Sequence, residues 1–135
     1  MRRYLLDTGI AQDFINHRHG VRERADAERH QGNRLGICVP ILGELWAGIE
    51  GNISRDRNAQ RLRLALSRLL IWPYTNEAAG EFGRLFAELR RLGRPMQQID
   101  LQIAAIALSL GNCTVVSSDF DLAAVPGLTV ENWAH

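Results

Sequence analysis

The chain contains no lysine: its sixteen basic residues other than histidine are all arginine. That excludes chemistry built on a side-chain amine, including Schiff bases and the lysine of phosphate-binding loops. Arginine suits bidentate phosphate contact, but its use here is compositional as readily as functional. Cysteine is scarce as well. Cys38 and Cys113 lie far apart, each beside an expected strand, with no Cys-x-x-Cys, so both read as buried reduced thiols. No apolar run approaches the roughly 20 residues of a membrane helix, and Asp7 comes too early for a signal peptide. The expectation is a cytoplasmic protein with no membrane partner. Neither sign of charge prevails, the formal net charge being +1. There are no repeats, no low-complexity tract and no internal linker. What the chain has instead is apolar content, 46% of 135 residues. That is enough to bury the core of one domain spanning residues 1–135.

The apolar residues fall into alternating short runs and helical stripes. Tyr4-Leu5-Leu6 reads as a first, central strand ending at Asp7. Thr8 is the expected N-cap of a helix over residues 9–17, with Ile10, Phe14 and Ile15 facing inward. The next helix, residues 21–32, is highly charged, shows only Val21 and Ala25 as an inward pair, and is expected to be exposed. Leu35 to Val39 forms a second strand, and Pro40 opens a helix that carries Glu44, as proline at a first helical turn allows. Residues 55–70 form an arginine-studded helix with Leu62, Leu66, Leu69 and Leu70 as its stripe; its polar face is either a solvated surface or a phosphate-tracking one. Leu70-Ile71-Trp72 gives a third strand. A helix over 77–92 follows, opened by Thr75 and Asn76, turned inward at Ala78, Phe82, Leu85, Phe86 and Leu89, and capped by Gly93.

Between Pro95 and Leu110 the apolar residues surround the helix, so this helix is buried. Thr114-Val115-Val116 is the next strand and runs into Ser117-Ser118-Asp119-Phe120-Asp121. A last strand covers Leu128 to Val130. This alternation predicts an α/β fold in three layers, α/β/α, with four to five short strands in a central parallel sheet. In such sheets, sites form beyond the carboxyl ends of the strands, where the strand order reverses.

Asp7 and Asp119 stand at such ends, and Glu44 and Asp100 stand on helices that begin at the same edge. Taken singly, each has a structural account. Asp7, Asp100 and Asp119 are placed to cap helix starts, and Glu44 is placed to face solvent. Taken together, they put four acids at one edge of a sheet. Like charges that close raise one another's pKa, which a divalent cation reverses. Oxygen-only ligands suit Mg²⁺ or Mn²⁺, ions that activate water and stabilise charge on a phosphoryl oxygen.

With these pieces in order, the chain resembles the PIN-domain family, and within it VapC-type toxins of bacterial toxin–antitoxin pairs. The resemblance spans the chain. It is carried by Leu5-Leu6-Asp7-Thr8, by Glu44 between Pro40 and Gly48, by Gly93-Arg94-Pro95 ahead of Asp100 to Ala105, by Val116 to Asp121, and by Val125 to Leu128 with Glu131-Asn132-Trp133. It implies a Mg²⁺- or Mn²⁺-dependent ribonuclease in which Asp7, Glu44, Asp100 and Asp119 bind metal and carry catalysis. Water would attack an RNA phosphodiester, leaving a 5′-phosphate and a 3′-hydroxyl. It implies that Thr8 orients Asp7, that Ser117 supports the metal site, and that Asp121 is a more variable member of it. It further implies a homodimer and a small VapB-like antitoxin whose arginine competes with metal, with Trp46 and Leu66 near its groove or simply in the core. The chain departs from the family where asparagine is common and Gly9 stands, at Gln97 and Gln98 where a glycine is usual, and at Leu122 where phenylalanine is. None of these removes an expected ligand. The alternative is a PIN-like regulatory module that binds RNA or protein without cutting. A phosphoacceptor receiver domain would share the sheet and the acids, but receivers resemble one another in needing a lysine.

Overall fold

The computed structural model describes residues 1–135. The first strand, β1 (Arg3–Leu6), is followed by α1 (Thr8–Ile15), α2 (Val21–His30) and β2 (Arg34–Cys38). Next come α3 (Val39–Ile49), α4 (Arg55–Leu66) and β3 (Leu70–Trp72). The second half runs α5 (Asn76–Arg91), α6 (Gln98–Leu110), β4 (Cys113–Val116), α7 (Phe120–Ala123) and β5 (Thr129–Glu131). The five strands form one sheet in the order β3-β2-β1-β4-β5, and every neighbouring pair is parallel.

Central strands that are β-branched or leucine-rich on consecutive residues must be covered on both faces. Leu5 and Leu6 in β1, and Val115 and Val116 in β4, are all fully buried. The chain moves outward from β1 through β2 to β3, then returns across the sheet to lay β4 on the other side of β1. Right-handed crossovers therefore place α1 to α4 on one face and α5 to α7 on the other. The strand order reverses between β1 and β4, which is where a parallel sheet opens a crevice beyond its carboxyl edge.

The core is a single cluster of 29 buried residues that includes Phe14, Ile37, Ile41, Leu62, Leu85 and Ile106. Full burial of each large side chain contributes about 1.5–3 kcal/mol. Helix α6 supplies Leu101, Ile103, Ala104, Ala105, Ile106 and Ala107, so the apolar-all-round segment is the buried one. Helix α5 ends in a Schellman motif. Gly93 adopts φ +70, its N–H bonds to Arg90 O, and the Arg94 N–H bonds to Leu89 O at 2.8 Å. That turn delivers the chain to the start of α6.

Four local expectations need correcting. Asp7, rather than Thr8, is the N-cap of α1: its Oδ1 accepts from Ile10 N at 2.9 Å, because a carboxylate there reaches the third backbone N–H. Helix α4 stops at Leu66, and its inward positions are Ala59, Leu62 and Ala65; Leu70 belongs to the exposed edge strand β3. Phe86 turns outward from α5 and stacks beside Phe82 at 6.2 Å instead of entering the core. Helix α2 is not simply solvated, since Glu28 is buried on it. Glu28 accepts from Arg24 and Asn33 at 2.9 Å each. Trp46 and Leu66 lie partly buried against the core, and the Arg63 guanidinium sits 5.4 Å from the centre of a Trp46 ring.

Candidate active site

Asp7 is placed by the sheet. Its N–H bonds to Val116 O at 3.0 Å, carrying the pairing with β4 one residue past the end of β1. Ser117 is fixed in the same way on the other side, with its N–H on Glu131 O at 2.9 Å. The Ser117 hydroxyl is buried, accepts the Asp119 N–H at 2.9 Å, and lies near enough to the Asp7 carboxylate to favour its charged form. Its side chain therefore fixes the turn after β4 and faces the acid at the end of β1. Asp119 caps α7 by accepting the Asp121 N–H at 2.9 Å. Asp100 lies in the first turn of α6, whose N-cap Gln97 makes no side-chain cap, and Asp100 itself enters no side-chain hydrogen bond. Its carboxylate is thus not occupied in holding its own helix.

Thr8 corrects a second expectation. Its hydroxyl donates to Glu44 Oε1, so the residue it positions is Glu44 rather than Asp7. This contact joins α1 to α3 at the mouth of the crevice, and no sequence spacing announces it, because the partners lie 36 residues apart.

The electrostatics show that the acids share one space. Burial pushes the Asp7 carboxyl above its ordinary value. The Ser117 hydroxyl and the Ile10 N–H partly offset that, and the charges of Asp119 and Asp13 reinforce it. Asp100 is also raised, first by burial and then by the charges of Asp119, Glu44, Asp7 and Asp121 acting together. The other three expected acids, with Asp121 as a fourth, therefore all act on Asp100, although the five come from four segments of chain. They do not stand as a finished cage: no three acidic, histidine or cysteine side chains are close enough together to hold a metal ion. Glu44, Asp119 and Asp121 are solvent-facing, while Asp7 and Asp100 are half-buried.

Two further features bear on the site. A Cβ at Gly9 would meet only Asp7 Oδ1, at 3.9 Å, so a side chain there is sterically admissible and the glycine is not demanded by packing. Asp13, not singled out from sequence, lies 3.1 Å from His19 and contributes to the field at Asp7 from a partly buried position on α1. It gives no sequence signal beyond being an acid on the helix that Asp7 caps.

The sequence profile of the PIN domain family matches residues 4–128. The chain is 31% identical to the tRNA(fMet)-specific endonuclease VapC of Salmonella typhimurium, across 98% of this chain and 99% of that one. It is 33% identical to the protein of the same name from Shigella flexneri, across 99% of this chain and 100% of the other. Among solved structures, VapBC2 from Rickettsia felis bound to a promoter DNA fragment superposes with a TM-score of 0.90 at 28% identity, covering 97% of this chain and 98% of that one. DNA-bound VapBC from Salmonella typhimurium also gives 0.90, at 31% identity, covering 99% and 100%.

Proposed function

This chain belongs to the PIN domain family, and from that premise we propose that it is a metal-dependent endoribonuclease, the toxin of a toxin–antitoxin pair. The observation that carries the reading is convergence: Asp7 and Asp119 follow the ends of the paired strands β1 and β4, and with Glu44 they act on Asp100 in the first turn of α6. A protein that gathers acids beyond the crevice of its sheet keeps them charged only against their mutual repulsion, and a divalent cation relieves that repulsion. The relatives named as VapC endonucleases supply the reaction class.

The donor set fits Mg²⁺ or Mn²⁺. It is all oxygen, and Mg²⁺ binds through one or two carboxylates while keeping several waters, so a pocket without a finished cage is compatible with it. Asp7, Glu44, Asp100 and Asp119 would hold the ion. When bound, it would make a water nucleophilic at neutral pH and offset charge developing on the phosphate oxygens. The chain's own contribution is orientation. Ser117 holds the Asp119 N–H and favours the charged form of Asp7. The Asp7 side chain is braced by the Ile10 N–H, and Glu44 is steered by the Thr8 hydroxyl. Asp121 adds charge from the first turn of α7.

The substrate in this reading is RNA, and the inhibitor is a VapB-like antitoxin, as in the VapBC assemblies that share this fold. A homodimer belongs to the same reading: α5 and its cap present Phe86 and Leu92 to solvent, apolar surface of the kind a second copy buries. No helix is long and apolar enough to cross a membrane. The test is expression without an antitoxin, together with cleavage of RNA by the purified protein in Mg²⁺. Wild type is expected to arrest growth and cut RNA, with Asp7→Asn and Asp100→Asn doing neither. Equal arrest by wild type and both variants would refute the catalytic assignment. A wild type that binds RNA but neither binds Mn²⁺ nor cuts would instead establish the non-catalytic module.

A further inference from the structure

We propose that Phe120 is the residue on which an RNA base stacks beside the scissile phosphate, an inference that rests on the ribonuclease reading above. Phe120 is 91% exposed, and it lies between Asp119 and Asp121. A lone exposed apolar residue needs no explanation by itself. What distinguishes this one is its mounting. On its amino side, the Asp119 N–H is held by the Ser117 hydroxyl, and on its carboxyl side the Asp121 N–H is held by Asp119 Oδ1, both at 2.9 Å. Leu122, two residues on, is anchored in the core at 1% exposure. The backbone that carries the ring is therefore pinned on both sides, between two of the acids that act on Asp100.

The chemistry of the surroundings selects the occupant. A protein surface packed over Phe120 would have to strip water from the two flanking carboxylates, at a cost of several kcal/mol unless each is paired. A nucleobase stacks on the face of the ring alone and leaves the carboxylates in water or on a cation. Base–aromatic stacking is also tolerant of sequence, as a single-strand contact requires. The backbone of such a strand is anionic and must be held near acids that repel it. Arg90, Arg91 and Arg94 stand at the joint between α5 and α6, just ahead of the helix turn that carries Asp100. All three are exposed, and none enters an ion pair. They supply positive charge at the same edge of the fold.

The test measures binding of a fluorescein-labelled single-stranded RNA of mixed sequence, by anisotropy, to full-length protein carrying Asp100→Asn to block cleavage. Adding Phe120→Ala should weaken binding about ten-fold, the scale of one lost base stack. Phe120→Trp should restore it and Phe120→Leu should not, because leucine replaces the apolar area without the aromatic face. Equal affinity for the alanine or the leucine protein and its Phe120 parent overturns the proposal, as does a Phe120→Ala effect confined to the oligomeric state. If the parent binds and wild type cuts RNA but Phe120→Ala changes nothing, only the stacking role falls. If the parent binds no RNA and wild type cuts none, the ribonuclease reading falls with it.

Discussion

A carboxylate that shares its surroundings with other carboxylates titrates late, and the direction of that shift fixes how stability responds to pH. Asp7 and Asp100 have folded pKa values above those of the free side chains, which lie near about 3.9. Between the two values the folded state holds more protons than the unfolded one, so stability falls as pH rises through that window. The penalty is absent below about pH 4 and complete above the raised folded value. Asp100→Asn should therefore raise the melting temperature of the metal-free protein at neutral pH, each kcal/mol relieved being worth about 4 °C in a chain of this size. The gap between variant and wild type should close as the pH approaches 4, roughly the free carboxyl value. Differential scanning fluorimetry in chelator across that range checks it, and a variant that melts lower at pH 7 would contradict it. Glu28 behaves oppositely. Burial alone would raise it, but hydrogen bonds from Arg24 and Asn33 outweigh that and hold it below its ordinary value. Its contribution is present above the free glutamate value and is lost as pH falls through the depressed folded one. Glu28→Gln should cost about 1–3 kcal/mol at neutral pH, the scale of hydrogen bonds to a charged group, and progressively less in acid. Urea unfolding at the two pH values measures this.

At the scale of elements, the edge pairing of β2 with β3 depends on one missing side chain. A Cβ on Gly36 would lie 2.6 Å from Leu70 O and 2.9 Å from the Trp72 ring. The obstruction is backbone, so it cannot swing aside. Gly36→Ala should destabilise the protein by about 1–3 kcal/mol and loosen β3 first, read as faster amide exchange at Ile71 and Trp72. A uniform loss across the sheet would place the strain elsewhere. Most elements were legible in the sequence. The strand at Tyr4-Leu5-Leu6, the proline-led α3, the Thr75 cap and the buried α6 all follow from local spacing. The misread positions have a common cause. Phe86 and Leu70 fit a helical stripe by periodicity, yet α5 has too little neighbouring surface to bury its whole stripe, and α4 ends before reaching Leu70. Periodicity reports which residues share a face, while what covers that face depends on the packing partners.

For the whole molecule, an ion that binds only the folded state stabilises it by mass action. At a hundred times its dissociation constant the gain is about 2.7 kcal/mol. Added Mg²⁺ or Mn²⁺ should raise the melting temperature, chelator should reverse the rise, and Asp100→Asn should abolish most of it. A melting temperature indifferent to both ions would count against a functional metal site.

Some properties were decided by the sequence before any folding was considered. Short apolar runs alternating with helical stripes specify a parallel α/β sheet, and acids placed at the ends of those runs emerge at its carboxyl edge. Both are local, since strand and helix periods act over a few residues. Only the tertiary structure decided which side chains touch. The β3-β2-β1-β4-β5 order puts β4 against β1, and from that follow the nearness of Ser117 to the Asp7 carboxylate and the field of several carboxylates at Asp100. The packing of α1 on α3 gave Thr8 to Glu44. Electrostatic and hydrogen-bond energies depend on distance through space, and that distance is set by strand order and helix packing, which no spacing along the chain records.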